Sequence, residues 1–506
     1  MAPRAVSIIA AGLVAALVIL PLSAVFQRAG GSVWPAEAEW AAIRFTLWQA
    51  VLSAFFSCLL AIPAARALAR RRFWGRDALI TLLGAPFILP VIVAILGLLA
   101  VFGREGLVSQ GLLLLGLPKL SIYGLHGVVL AHVFFNLPLV TRLILQGWQG
   151  IPSERFRLAA QLKLSPNTVF RVLEWPMLKQ TVPGAFLVVF VICLSSFAVA
   201  LTLGGGPRST TVELAIYQAF RFDFDLGKAA TLAIIQLIIV GMASLLALKI
   251  SAVQIADTGK GGAVRRWDSQ SVEQRAIDGV WIVLVSAFLI LPILSIVGGG
   301  LGGLVDLSAS VWKSAWHSLQ VSLASTAICV ALAVPLARSS SGQILSLVGF
   351  ALSPLVLGTG LFLLIQPHAN PFDWALPVTC IVNALMALPF AVRAMAPAFA
   401  KSEADYGRLA DMLGLTGIAR FRIVTLPAIR RPLGFSAGLA AALSMGDLGV
   451  IVLFADPDRA TLPLQMYRLM TAYQMDSAGS AALLLLALSL GLFWVFDKGG
   501  RFGLET

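Results

Sequence analysis

Of 506 residues, 59% are hydrophobic and 12% are charged, about half the charged share of a soluble domain, so the chain reads as a polytopic membrane protein. The net charge of +13 is assigned to basic cytoplasmic loops and not to nucleic-acid binding. Cys58, Cys193, Cys329 and Cys380 lie far apart in apolar runs without a CxxC, which excludes a disulfide framework and a cysteine zinc site.

A helix needs about 20 apolar residues to cross the hydrocarbon. The first such run, 6–27, follows an early Arg4 and resembles a secretory signal. It has no small-residue cleavage site ahead of a soluble domain, and it is read as a retained helix. Further spans are predicted at 45–65, 78–102, 124–146, 181–203 and 229–251, then at 277–298, 315–337, 344–366, 375–396, 433–454 and 479–497. The expected fold is therefore all-α with twelve spans. Pro63, Pro90, Pro138, Pro335 and Pro354 fall within spans and predict kinks or breaks. Lys and Arg concentrate in alternate loops, such as Arg66 to Arg76 and Arg420 to Arg431, which places those loops and both termini in the cytoplasm.

Within these spans a few polar residues stand out. His132 and Asn136 share a helical face and either line a pathway or bond neighbouring helices. "LGGGP" (203–207) is read as a tight turn in an outer loop, with Gly204 and Gly205 as candidates for a gate. Asp447, in "SMGDLGVIV", lies inside a span, where an ionised carboxylate costs about 2.5–3.5 kcal/mol on insertion scales. It should face protein or water, as part of a gate or of the cargo path. His126, His132, His317 and His368 have no metal spacing.

The most informative feature is a repeat. "RLAAQLKLSPNTVFRVLEWPML" (157–178) returns as "RLADMLGLTGIARFRIVTLPAI" (408–429) at a shift of 251 residues. Around it, 45–66 resembles 317–338. The chain thus divides into halves at 1–251 and 276–506, joined by a polar linker at 252–275. Each half carries one basic loop, at 148–180 and 397–431. Its first part, "SERFRLAAQLKL", predicts a short helix capped by Ser153, with Phe156, Ala159, Ala160 and Leu162 at helical spacing. A single basic helix of this kind can simply rest on lipid headgroups. Two equal ones make a dock for a symmetric, dimeric partner.

These loops resemble the E-A-A-x3-G-x9-I-x-L-P signature of ABC importer permeases. Arg157, Leu158, Ala159, Lys163, Leu173, Trp175 and Pro176 occupy its places in the first half. Arg408, Leu409, Ala410, Gly414, Val424, Leu426 and Pro427 do so in the second. The signature Glu is Arg in both copies, and its Gly is Lys163 in the first. The runs 75–107, 131–146, 201–219 and 445–469 further resemble fused thiamine importer permeases. The resemblance implies a bacterial inner-membrane subunit that passes thiamine and its phosphate esters, delivered by a periplasmic binding protein. It also implies that ATP and Mg²⁺ are bound by a dimeric ATPase partner, with no cofactor, metal or catalytic residue in this chain. Leu158, Ala159 and Leu162, with Leu409, Ala410 and Leu413, would form the apolar part of each docking plug, and Arg157 and Arg408 would meet acids on the partner. Consistent with a separate motor, the chain has no Walker A loop: Gly227-Lys228 and Gly259-Lys260 are not followed by Ser or Thr. The rival readings are a fused ferric-iron permease and, from another class, a twelve-helix secondary transporter. The latter would repeat a basic motif between its second and third spans, which "ARSSSGQILSL" (337–347) does not do. A membrane enzyme finds no acid/base or nucleophile constellation.

Overall fold

A computed structural model describes residues 2–29, 37–84, 86, 88–251, 271–454 and 457–501, and there is no strand among them. The first half comprises α1 (Ala2–Arg28), α2 (Glu37–Arg70), α3 (Arg76–Leu82), α4 (Val91–Phe102), α5 (Leu107–Leu114), α6 (Leu125–Gln149), α7 (Ser153–Gln161), α8 (Pro166–Val169), α9 (Trp175–Leu194), α10 (Phe197–Leu203), α11 (Val212–Arg221) and α12 (Leu226–Ser251). The second comprises α13 (Val272–Leu301), α14 (Ala309–Ala337), α15 (Ser340–Ser346), α16 (Val348–Ala351), α17 (Pro354–Ile365), α18 (Ala375–Met412), α19 (Gly417–Arg420), α20 (Leu426–Met445), α21 (Gly449–Leu453), α22 (Leu462–Thr471) and α23 (Met475–Arg501). Most of the expected linker lies outside the described residues. Its end, 272–275, already belongs to α13, whose first turn is capped by the Ser271 hydroxyl accepting from Gln274 N–H.

Among the described residues, eleven helical segments are long and apolar enough to cross a bilayer, one fewer than the sequence predicts. The difference is 344–366. Its chain is interrupted where the Ser353 hydroxyl accepts from Leu355 and Val356 N–H at 3.1 and 3.4 Å, with Pro354 in the first turn of α17. What remains, α17, has 12 residues, or about 18 Å of helix. Its counterpart α4 also begins at a proline, Pro90, which here is itself the cap residue and makes no side-chain cap bond. Pro63, Pro138 and Pro335, by contrast, sit inside continuous helices.

The halves repeat each other in three dimensions. Val212 N–H donates to Thr46 Oγ1 at 2.9 Å, and Leu462 N–H donates to Ser318 Oγ at 2.7 Å, so α11 and α22 hang from equivalent points on α2 and α14. Both loops also pass through a π-helical turn, at Phe170–Glu174 and Phe421–Thr425. The halves embrace. α1 packs on α14 and α17 of the second half, and α13 packs on α2 and α4 of the first. Glycine makes each contact close. A Cβ on Gly97 of α4 would stand 2.6 Å from the Pro292 carbonyl oxygen of α13, and one on Gly360 of α17 would stand 2.4 Å from that of Pro21 in α1. Two polar ties hold the same embrace at one end of the bundle. Arg71 pairs with the buried Asp278 of α13 at 2.7 Å, and Ser7 of α1 bonds Ser339 at 3.1 Å.

Candidate functional site

Both basic loops lie at the end of the bundle that carries these ties. In the first half, Gly150 and Pro152 interrupt the chain between α6 and α7. In the second, where Lys401 and Glu403 replace them, α18 runs unbroken from Ala375 to Met412, so the expected short helix is the last part of a long one. The expected Ser153 cap is also revised. Pro152 holds the cap position, Ser153 is the first helical residue, and its hydroxyl donates to Glu154 Oε1 instead.

The two copies end alike. Leu164 N–H reaches back to Ala159 O and Lys163 N–H to Ala160 O; Leu415 N–H reaches Ala410 O and Gly414 N–H reaches Asp411 O. Each pair is a Schellman closure, which requires a left-handed residue one place beyond the cap. Gly414 supplies it with φ 65°, and Lys163 adopts φ 51° in the same role. The Lys-for-Gly departure therefore keeps the shape of the signature while bearing the strain of a side chain in that region. Gly414→Val is expected to lower the melting temperature, at a cost of about 1–2 kcal/mol. A Cβ there meets nothing within 4 Å, so the loss would come from φ alone. Gly491→Val, also in open space but at ordinary helical φ, is the control in a detergent thermal-shift assay.

The faces of the two loop helices are now fixed. Leu158, Leu162, Leu409 and Leu413 are 56%, 62%, 54% and 64% exposed, and Arg157 and Arg408 are exposed beside them. Ala159 and Ala410, at 3% and 1%, point inward. Their small size lets each helix lie flat on its own bundle, so the outward apolar surface belongs to the leucines and not to the alanines grouped with them. Pro176 and Pro427 follow directly on the two π-helical turns, in the first turn of α9 and α20.

The loops are braced differently, by residues that sequence reasoning missed. In the first, the fully buried Glu174 accepts from Arg66 Nε at 2.8 Å and lies 3.7 Å from Arg70, fastening the π-turn to the end of α2. In the second, Thr425 takes the place of Glu174. Here Arg420 pairs with Asp411 at 2.6 Å and Glu403 at 2.7 Å, closing the loop on itself. Glu174 is one of two acids in that basic loop, with Glu154, and the sequence has no signal that separates them.

The intramembrane candidates separate into two places. His132 and Asn136 are buried where α2, α6 and α9 meet. His132 Nδ1 shares a hydrogen bond with Ser53 Oγ at 3.1 Å, and Asn136 Nδ2 donates to the His132 carbonyl at 2.8 Å and to Cys193 Sγ at 3.5 Å. The second half builds the same junction from Asn383, Ser444 and Ser325, with bonds of 3.1 and 3.0 Å. In this conformation these groups join helices. Asp447 occupies the break between α20 and α21, and its Oδ1 accepts from Gly449 N–H at 3.2 Å. The residues around it touch both halves: a Cβ on Gly446 would lie 2.9 Å from Pro90 Cα, and one on Gly449 would lie 3.6 Å from Pro354 Cβ. Asp447 is thus at the seam, between the starts of α4 and α17. Gly204 and Gly205 form the expected turn, with φ 71° at Gly205 and its Cα side pressed against Tyr123. No group of three metal-ligating side chains occurs among the described residues.

The arrangement offers two equal, outward apolar helices at one end of the bundle and a seam of broken helices inside it. No protein-family model matches the chain. Individual relatives match it nearly end to end. It is 39% identical to the thiamine transport system permease protein ThiP of Escherichia coli K12 over 484 residues, covering 92% of this chain and 90% of that one. It is 38% identical over 506 residues to the protein of the same name from Brucella abortus, covering 94% and 92%. The Haemophilus influenzae protein of that name is 33% identical over 491 residues, covering 92% and 90%.

Proposed function

Because the chain belongs to the family of thiamine transport system permeases, we propose that it is the permease subunit of an ATP-driven importer that passes thiamine and its phosphate esters through the membrane. The observation that carries this reading is the nearly end-to-end likeness to thiamine transport system permeases, over more than nine-tenths of the chain. It disfavours the ferric-iron alternative and sets aside the secondary transporter.

In this reading the two loops face the cytoplasm, with both termini, in a bacterial inner membrane. Each loop helix enters one cleft of a dimeric ATPase, which holds the ATP and Mg²⁺; the permease itself holds neither. The exposed leucine pairs support such a dock, since apolar side chains more than half exposed on a basic helix suit a protein cleft. Closure of the dimer draws the loops together. Force then passes through Glu174 and its arginines into α2, and through the unbroken α18 in the second half. Because α1 and α13 each ride on the opposite half, the halves move as two interlocked bodies and the seam at Pro90, Pro354 and Asp447 changes. A periplasmic binding protein delivers cargo to the far end. Cells that lack thiamine synthesis and this chain are expected to stop growing on low external thiamine and to recover when the chain is restored. Recovery on added iron alone would overturn the reading.

A further inference from the structure

Glu213, in the first turn of α11, is fully buried at the seam. Its Oε1 accepts from Gln236 Nε2 at 3.0 Å, and the same Nε2 donates to the Leu194 carbonyl at 2.9 Å. That carbonyl belongs to the last residue of α9, just before the chain breaks, so the amide orientation of Gln236 is fixed by two acceptors. Gln236 Oε1 and Glu213 Oε2 have no hydrogen bond among the described residues, and the Ser353 hydroxyl of the second half stands beside Glu213. Two fully buried oxygens, one of them a carboxyl's, are thus left without a hydrogen bond. A buried carboxyl with no opposite charge at hand resists ionisation, and a cation arriving beside it would favour the ionised form.

The fold does not require it. The second half hangs α22 from α14 by the same backbone bond, yet has Pro463 where α11 has Glu213 and a fully buried Leu485 where α12 has Gln236. The polar pair is therefore an addition made on one side only. Its position has a direction. Gln236 lies ten residues into α12, or about 15 Å along it, so Glu213 sits deep in the bundle. Further along the same face of α11 come Tyr217 and Phe220. Phe220 meets Phe362 of α17 edge-on at 4.5 Å, and Phe362 meets Phe454 at 5.5 Å. α11 also packs on α21, so this strip runs along the contact between halves.

A pair of buried oxygens without a hydrogen bond, at the inner end of an aromatic strip on a seam that opens, has the chemistry to take a flat aromatic cation. We propose that Glu213, held by Gln236, is the counter-ion for the positively charged ring of the cargo as it passes the seam, with Phe220 and Phe362 as the rings it slides past. The assignment rests on the thiamine reading, whose cargo carries a cationic thiazolium ring. It makes Glu213 a specificity-determining residue of the first half alone.

The test is Glu213→Gln in the full complex of permease, ATPase subunit and binding protein in liposomes, with labelled thiamine. The carboxamide keeps the bond from Gln236 and adds a donor for an orphaned oxygen, so the melting temperature in detergent is expected to hold or rise. Thiamine uptake is expected to fall about tenfold or more, as when one member of a desolvated charge pair is lost. Glu213→Asp should retain more uptake than Glu213→Asn. Uptake by Glu213→Gln within twofold of wild type would overturn the proposal. So would a fall in melting temperature with Asp and Asn variants equally impaired, which would mark a structural role. Failure of the wild-type complex to take up thiamine would instead refute the functional reading beneath it.

Discussion

Aspartate at Leu158, Leu162, Leu409 and Leu413 together is expected to release the ATPase subunit from the permease altogether. Each leucine is more than half exposed in the free chain and would be covered in the complex. Burying one fully contributes about 1.5–3 kcal/mol, so four lost contacts, with charge placed in apolar clefts, exceed what an assembly of ordinary affinity retains. The pair Leu158 and Leu162 alone should weaken co-purification without ending it, since the second cleft remains filled. Insertion of the permease should be unchanged, because all four side chains point away from the bundle. Purified ATPase subunit should bind inverted vesicles and not right-side-out ones, which tests the proposed orientation in the same experiment. Normal assembly of the fourfold variant would return these helices to the role of headgroup anchors. Bulky residues at Ala159 or Ala410 are a poorer probe. Both face inward, so a tryptophan there would strain the permease before it met any partner.

Leucine at Gly97 or Gly360 is expected to push the first helix of one half off the other. A Cβ at either position would already lie within 2.6 Å of a proline carbonyl oxygen, and backbone on both sides leaves little room to adjust. Overpacking of this kind costs about 1–3 kcal/mol, occasionally more, and here it falls on the contacts that interlock the halves. Each single variant should melt well below the wild type in detergent, and the double variant should lose uptake while remaining in the membrane. Gly12→Leu and Gly241→Leu, where a Cβ meets nothing within 4 Å, should leave both measurements close to wild type. Equal effects at all four sites would mean that the embrace contributes nothing special to stability.

The sequence by itself determined the solvent and eleven of the twelve spans, since bilayer thickness fixes the length of an apolar run, and it showed the copied loop, which is visible in one dimension. It aligned Lys163 with Gly414, while the left-handed backbone that both share came from the structure. It read prolines less well. Pro90 and Pro354 start helices, whereas Pro63, Pro138 and Pro335 are absorbed by packed neighbours, and the difference lies in partners remote in sequence. Only the tertiary structure decided which side of a helix faces protein. In water, the buried face of a helix is apolar and the other polar, so periodicity reveals it. In a bilayer, lipid and protein interior are equally apolar, and the signal vanishes. That is why the glycine contacts between halves and the counterposition of Glu213 and Pro463 emerged only once the helices were set against one another.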